Sequence, residues 1–161
     1  TAFHLGISFG SILLACNTYS TLESYNRKMA LKRVKDHLLP NGIFAASLPN
    51  PLLLRQLPLR SRSEIEEIFA HPLDGEPVQV SSEWRRDAQR FWLRWHYDHL
   101  LPHGEVERLS IDVIHQLTLL EEHLSEIHSV GLGPVRVFGD YDGSEYSSNS
   151  PEMILIISRD L

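Results

Sequence analysis

The C-terminal segment carries the clearest pattern of apolar and polar positions in the chain. Residues 135–138 form a short apolar run, residues 139–144 are rich in glycine and aspartate, and residues 153–157 are uniformly apolar. A run without polar alternation predicts a strand that is covered on both faces. The glycine- and aspartate-rich segment has turn chemistry, so the two runs are predicted to be antiparallel neighbours. We expect residues 153–157 to lie between the segments that begin at Val135 and Ile43.

A helix with its own start and stop signals is predicted before these strands. The segment from Thr118 to Glu121 fits a capping box, in which side chains satisfy the first free backbone amides. Gly131 stands where a left-handed residue closes a helix. The predicted inner face of this helix consists of Leu120, Leu124 and Ile127.

The N-terminal part predicts a strand, a helix and a second strand. Residues 12–16 are a continuous apolar run, residues 22–38 have helical periodicity, and residues 43–48 are a second apolar run. The Leu-Pro-Asn-Gly segment at 39–42 terminates the helix. This order predicts a βαβ unit with two parallel strands. The predicted inward-facing helix residues are Tyr25, Met29, Val34 and Leu38, and the outward-facing ones are Arg27, Lys28, Lys32 and Lys35.

Residues 51–117 are interpreted as an insertion between that unit and the closing helix. Ser61 and Glu64 can cap a short helix that ends near Ala70. Three antiparallel strands are predicted after it, at residues 78–84, 90–100 and 105–117. The segment 102–104, Pro-His-Gly, forms a hairpin loop with glycine at the position that needs a left-handed residue.

A single register of this hairpin satisfies both faces of the strand pair. With Leu101 opposite Glu105, one face is apolar and the other pairs a cation with an anion, which is the kind of agreement that specifies a register. The apolar pairs are Tyr97 with Leu109, Trp95 with Ile111, and Leu93 with Val113. The polar pairs are Arg94 with Asp112 and His96 with Ser110.

The elements together predict a single α/β domain over residues 1–161. Residues 1–50 form the strand-helix-strand unit, residues 51–117 the inserted helix and antiparallel strands, and residues 118–161 the closing helix and strand pair. The expected sheet has two parallel strands plus a C-terminal antiparallel strand pair, with flanking helices and a three-strand extension.

Composition excludes several classes of function. The net charge is −6 without runs of like charge, so no nucleic-acid partner is expected. No apolar run is long enough to span a bilayer, so no membrane partner is expected. The single cysteine, Cys16, fits a reducing compartment and predicts a cytoplasmic location; we interpret it as a buried apolar residue at a strand end.

The order of elements resembles the C-terminal half of class I, Rossmann-like, S-adenosylmethionine-dependent methyltransferases that act on small molecules. In that family one strand begins with Phe-Asp and ends in an Asn-containing loop beside the methyl donor. Phe9 and Asn17 match those places, whereas Gly10 and Ser11 replace the usual aspartate. Pro and Gly at 40–42 before the apolar segment at 43–44 resemble the stretch that precedes the family's fifth strand.

The resemblance implies S-adenosylmethionine as cofactor and a small molecule as methyl acceptor. Loops after parallel strands share one edge of a sheet, so residues 17–19 and 47–50 are expected to face one cavity. Asn17 is the candidate for positioning the reacting groups and, with Thr18, for contacting the cofactor. Either His96 or His115 is the candidate base, although a buried, hydrogen-bonded histidine is the more ordinary role. The candidate substrate-binding residues are Tyr19, Asn50, Trp92, Arg94 and Tyr141, while Trp95 and Tyr97 are assigned to packing.

A metal site is not expected from the spacing of the histidines. His96 and His99 point to opposite faces of a strand, and His123 and His128 do not share a helix face. Neither pair has thiolates or an acidic cluster at zinc spacing.

The sequence contains no Gly-x-Gly-x-Gly turn of the kind that approaches a nucleotide-like cofactor. We therefore expect the chain to be part of a longer enzyme, or a shortened relative, and not to bind S-adenosylmethionine by itself. The strand at 12–16 then lacks a neighbour, and an apolar unprotected edge predicts a homodimer across this edge or through the hairpin. The alternative function is a non-catalytic, methyltransferase-like association module.

Overall fold

A computed structural model describes residues 4–159. The chain divides into two compact units: one comprises the residues up to Gln56 and from Gln116 onward, and the other comprises Leu57–His115. The second unit falls within the segment that the sequence assigns to an insertion. No helix in the described range is long and apolar enough to cross a membrane.

Within residues 4–159, the first unit contains four strands and three α-helices. In chain order across both units, the elements are β1 (Phe9–Leu14), α1 (Ser24–His37), β2 (Leu38–Pro49), α2 (Pro51–Leu54), β3 (Glu64–Ala70), β4 (Pro77–Arg86), β5 (Arg90–Leu100), β6 (Val106–Gln116), α3 (Leu120–Ser129), β7 (Val135–Phe138) and β8 (Glu152–Ser158). A 3-10 turn at Thr18–Thr21 precedes α1.

The sheet of the first unit has the strand order β1-β2-β8-β7. Strands β1 and β2 are parallel, and β8 runs antiparallel to both β2 and β7. Leu155 of β8 lies opposite Ala46 on one side and Val137 on the other. The predicted position of residues 153–157 is therefore confirmed.

Strand β8 is buried because its residues are apolar on both faces. Met153, Leu155 and Ile157 are inaccessible and belong to the core cluster, while Ile154 on the opposite face is also buried. Side chains from α1, α3 and β2 complete that cluster. Burying large aliphatic side chains stabilises a fold by about 1.5–3 kcal/mol each, so this strand contributes much of the driving force.

Helix α1 turns Val34 to the core as predicted, but the predictions for Tyr25 and Arg27 are wrong. Tyr25 is 74% exposed, whereas Arg27 is buried. The guanidinium of Arg27 donates two hydrogen bonds to the Glu126 carboxylate of α3, at 2.7 and 2.8 Å, and a third to the carbonyl of Leu22. Burial raises the pKa of Glu126, but the hydrogen bonds and charge of Arg27 outweigh that effect and leave it below its usual value. The Arg27 guanidinium can be buried because its partner, the Glu126 carboxylate, is buried beside it.

The ends of two elements differ from the predictions by a few residues. Strand β1 ends at Leu14, and Cys16 is exposed with a left-handed φ of 55°, so the prediction of a buried cysteine at the strand end is wrong. Helix α3 begins one residue later than the predicted capping box, with the Glu122 carboxylate accepting from the Leu119 amide. Gly131 has the expected left-handed conformation, with φ at 70°.

The second unit is a four-stranded antiparallel sheet in the order β3-β4-β5-β6. The helix predicted at 61–70 is wrong, because residues 64–70 form the outer strand β3 paired with β4. Ser61 does not cap a helix: its hydroxyl accepts from the amide of Trp84. Hydrogen bonding to a neighbouring strand overrides the local helical preference of glutamate and alanine.

The hairpin of β5 and β6 has the predicted register. The Leu101 amide donates to the Glu105 carbonyl at 2.9 Å, and the two predicted polar pairs, Arg94 with Asp112 and His96 with Ser110, are hydrogen-bonded. Its apolar face is only partly covered, since Leu109 is 59% and Ile111 is 43% exposed. Register is thus set by complementary pairing across the strands rather than by complete burial.

We expect Arg27→Met to lower the free energy of unfolding by about 3–5 kcal/mol, because it leaves the Glu126 carboxylate buried without a partner. Arg33→Met is the matched control, since Arg33 pairs with Asp36 at a solvent-accessible position worth less than about 1 kcal/mol. Urea unfolding at pH 7 measures both. Equal losses in the two variants would contradict the assigned role of the buried pair.

Candidate functional site

The loop after β1 presents two candidate residues at the carboxyl end of a parallel strand. The Ala15 carbonyl accepts from the Thr18 amide, and the Asn17 carbonyl accepts from the amide and hydroxyl of Ser20. These bonds close a tight turn in which Asn17 has a left-handed φ of 58°. Asparagine tolerates this conformation better than most residues. The Asn17 side chain makes no capping bond to the following turn, and Thr18 is exposed.

Asn50, which follows β2, has its side chain committed to internal hydrogen bonds. Its Nδ2 donates to the carbonyls of residues 147, 148 and 150, and its Oδ1 accepts from the Leu52 amide and the Tyr146 hydroxyl. The residue is buried. Asn50 therefore holds the loop before β8 against the start of α2, and its assignment as a substrate ligand stays a prediction.

Tyr19 lies in the core instead of lining an open surface. Its ring packs edge-on against Phe44, at a centroid distance of 6.1 Å, and lies 5.5 Å from the ring of His123. Its hydroxyl has no hydrogen-bond partner within the described residues. Burial, together with the nearby Glu126 carboxylate, raises the pKa of Tyr19 far above its ordinary value. The phenol is therefore neutral at any physiological pH.

His123 and the Arg27–Glu126 pair form a buried polar cluster beside Tyr19. Burial is the main cause that lowers the pKa of His123 to about 4, the Arg27 charge adds to it, and the Glu126 charge opposes it. His123 Nδ1 has no partner within the described part of the chain. The imidazole is therefore neutral at physiological pH.

Tyr141 occupies the loop between β7 and β8. Its side chain is 75% exposed, and its amide donates to the Asp140 carboxylate within the loop. Tyr141 is therefore accessible to a ligand, and its assignment as a substrate contact stays a prediction.

In the second unit, a cavity of about 490 Å³ brings Trp92 and Arg94 together. The Arg85 guanidinium lies 4.9 Å above the centre of the Trp92 ring, and Arg94 forms two hydrogen bonds to Asp112, at 2.6 and 2.9 Å. These charged and aromatic groups belong to one face of the β4–β5–β6 sheet. The lining side chains with charged or aromatic chemistry are Arg60, Glu83, Trp84, Arg85, Trp92, Arg94 and Asp112.

The candidate base His96 lies on the same strand as Arg94. Its Nδ1 is 2.7 Å from the Ser110 hydroxyl, and its Nε2 is 4.0 Å from a Glu83 carboxylate oxygen. The other candidate, His115, is buried, and burial lowers its pKa. Both histidines belong to the second unit, whereas Asn17, Thr18, Tyr19, Asn50 and Tyr141 belong to the first.

Several residues of the cavity were missed by the sequence analysis, namely Arg60, Glu83 and Arg85. Alternation in β4 and β5 was a usable signal for Glu83 and Arg85, because it places them beside Arg94 and Trp92. There was no comparable indication for Arg60 in the sequence, because only an isolated β-bridge to Arg85 places it beside the other cavity residues.

The structure is similar to solved methyltransferases. A S-adenosylmethionine-dependent methyltransferase from Clostridium acetobutylicum superposes with a TM-score of 0.82 at 13% identity, over 99% of this chain and 62% of that one. The sugar N-methyltransferase KedS8 from Streptoalloteichus gives 0.76 at 15% identity, over 99% and 60%. An amino pentose methyltransferase from Micromonospora echinaspora, solved with S-adenosylmethionine bound, gives 0.69 at 14% identity, over 98% and 61%.

The chain has a methyltransferase-like fold. It spans about three fifths of the length of these solved relatives. No protein-family model and no curated protein matches the sequence. At such low identity the similarity shows the fold, while the reaction and its substrate have to be argued from the residues.

The polar side chains that would contact S-adenosylmethionine lie in the turn after β1. The turn after β1 offers an amide side chain, from Asn17, and a hydroxyl, from Thr18, at the edge of the sheet where ligands of open α/β folds lie. The sequence has no Gly-x-Gly-x-Gly segment to receive the nucleotide-like end.

We expect the His123 imidazole to titrate near pH 4 in the folded protein. An unfolded chain binds this proton near pH 6.5, so the unfolded state holds more protons between these values, and lowering the pH through this window reduces the free energy of unfolding. Histidine NMR shifts measure the titration, with His123→Gln providing the resonance assignment. Urea unfolding at pH 7 and 4.5 should show a smaller pH effect in His123→Gln. A midpoint at or above 6.5 would rule out the assigned environment.

Proposed function

We propose that the protein containing this chain transfers a methyl group from S-adenosylmethionine to a small-molecule acceptor. The observation that carries this proposal is the agreement of nearly the whole chain with methyltransferase structures, at TM-scores up to 0.82. The turn at Asn17 and Thr18, at the carboxyl end of a parallel strand, supports it independently, because that edge is where such folds bind ligands.

When bound, S-adenosylmethionine supplies an activated methyl group on a good leaving group. The protein's task is then mainly to align the acceptor, and at most one base is needed to remove a proton. We assign the alignment to Asn17, which occupies the left-handed turn after β1, and assign Thr18 to the cofactor. His96 is the proposed base, oriented by the Ser110 hydroxyl.

The charged cavity of the second unit supports an acceptor with a negatively charged group. Three arginines and two carboxylates line it, which leaves an excess of positive charge. The half-buried Trp92 ring and the exposed Arg85 guanidinium that lies over it offer a stacking surface for a flat or ring-shaped group. We therefore propose that Trp92 and Arg94 contact the acceptor. Tyr19, Asn50 and Tyr141 remain proposed contacts of lower priority, since two of them are buried and internally engaged.

We expect Asn17→Ala to lower kcat of the full-length gene product on the order of tenfold or more, because a misplaced acceptor loses the benefit of alignment. Asn26→Ala on the exposed side of α1 makes the same chemical change and should leave kcat unchanged. Transfer of a radiolabelled methyl group to a panel of small amines and alcohols, with and without anionic substituents, measures both variants.

An unchanged kcat in Asn17→Ala would remove that residue from the site. If the full-length product transferred a methyl group to none of the small molecules and did not bind S-adenosylmethionine, the non-catalytic association module would be favoured instead. For the 161-residue chain by itself, calorimetry should detect no saturable S-adenosylmethionine binding, because its sequence lacks a glycine-rich turn.

We also propose that the chain forms a homodimer, through either of two exposed apolar surfaces. Strand β1 is an outer strand of its sheet within the described residues, and its Leu13 is 71% exposed. The hairpin exposes Leu109 and Ile111 side by side on one strand. An open strand edge or an exposed apolar sheet face is stabilised by a second chain.

Sedimentation should show a dimer for the wild-type chain and a monomer for either Leu13→Lys or Ile111→Lys, which identifies the interface. Leu73→Lys is the matched control, because Leu73 is a highly exposed loop leucine, and it should remain dimeric. A monodisperse wild-type monomer would refute the proposal.

A further inference from the structure

Two histidines and an aspartate meet at one end of the antiparallel sheet in the second unit. His71 and Asp74 lie in the loop between β3 and β4, and His99 lies near the end of β5. His71 Nδ1 is 3.0 Å from Asp74 Oδ1, and His99 Nε2 is 3.1 Å from Asp74 Oδ2. One ligand atom from each residue lies within 4.8 Å of the other two.

The backbone of the loop holds this arrangement in place. The His71 amide donates to the Glu76 carbonyl at 2.8 Å, and the Gly75 amide donates to the His71 carbonyl at 2.9 Å. The Glu76 amide donates to Asp74 Oδ1, so the carboxylate is oriented by the main chain. His99 is fixed in β5 by its register with Val78 of β4. Three side chains are thus presented from a closed turn and a paired strand.

The spacing is close to that of ligands around a single metal ion. Nitrogen and oxygen ligands bind zinc at about 2.0–2.2 Å, which places neighbouring ligands of a tetrahedral site about 3.4 Å apart. The separations of His71 Nδ1 and His99 Nε2 from Asp74 Oδ1, 3.0 and 3.3 Å, are near that value, and the two imidazole ligand atoms lie within 4.8 Å of each other. The two imidazole rings already stack at 4.2 Å.

We propose that His71, Asp74 and His99 form a binding site for a zinc-type divalent metal ion, with water in the remaining position. Two imidazoles and one carboxylate favour zinc, cobalt or nickel over calcium and magnesium, which prefer oxygen ligands. The hydrogen bond from the Glu76 amide to Asp74 is the supporting contact that such ligands usually have. The site is distinct from the methyl-transfer proposal, because none of the three ligands lines the cavity that contains Trp92 and Arg94.

Bound metal would connect the β3–β4 loop to β5. This connection is a structural consequence of the ligand set, since one ion joins two residues of the loop to one residue of a central strand. An ion that binds the folded chain more tightly than the unfolded chain also raises the unfolding temperature, by an amount that grows with the logarithm of its concentration once the site is saturated.

The test is titration of the metal-free chain with zinc chloride by calorimetry, followed by cobalt chloride with visible absorption to report coordination by nitrogen and oxygen. The wild-type chain should bind one zinc ion saturably. His99→Ala and Asp74→Asn should each weaken binding at least about tenfold, which is the smallest loss expected even for a supporting residue of a metal site. His103→Ala, in the exposed hairpin loop, is the matched control and should bind as the wild type does.

Asp74→Asn keeps an oxygen that can accept from the Glu76 amide, so it retains the loop while removing the negative ligand. Circular dichroism of the metal-free variants confirms that each is folded. Equal zinc affinity in the wild type, His99→Ala and Asp74→Asn would overturn the proposal, as would a loss of binding in His103→Ala alone. Saturable binding of magnesium with the affinity of zinc would overturn the assignment of metal type.

Discussion

The placement of β8 between β2 and β7 is the constraint on which the first unit depends. Its backbone is hydrogen-bonded on both sides, and its apolar residues are covered on both faces, which an outer position in the sheet would not provide. Asn50 extends that constraint to the neighbouring loop, because its side-chain amide donates to three carbonyls of the loop that precedes the strand. The carboxyl end of β2 is thereby held at a defined place.

The packing of α1 on α3 adds a second, polar constraint. An apolar contact between two helices can slide by a turn at modest cost, whereas the paired guanidinium and carboxylate of Arg27 and Glu126 match in one position only. Removing either partner leaves a buried charge, so the pair specifies the helix register even if it adds little net stability. The unusual environments of Tyr19 and His123 follow from their position beside it.

In the second unit, charged side chains and apolar side chains lie on opposite faces of the sheet. Alternation along β4 and β5 places Glu83, Arg85, Trp92 and Arg94 on one face and leaves an apolar surface on the other. The first face offers a concave, positively charged surface, and the second offers exposed leucine and isoleucine on β6. A scaffold of this kind can bind a ligand and a second chain with the same four strands. Its similarity to methyltransferases explains the architecture, while the ligand chemistry depends on the side chains of this chain.

Local and complementary patterns in the sequence determined the position of β8 and the register of the β5–β6 hairpin, because both follow from residues that are close together or uniformly apolar. The tertiary structure alone decided three other features. Residues 64–70 became a strand because β4 supplies a hydrogen-bonding partner, and Arg27 turned inward because Glu126, far along the chain, accepts its charge. Asp74 and His99 are 25 positions apart in the sequence and come into contact because strand β4 runs back between them. The sequence spacing of two residues does not reveal a contact that depends on the pairing of strands.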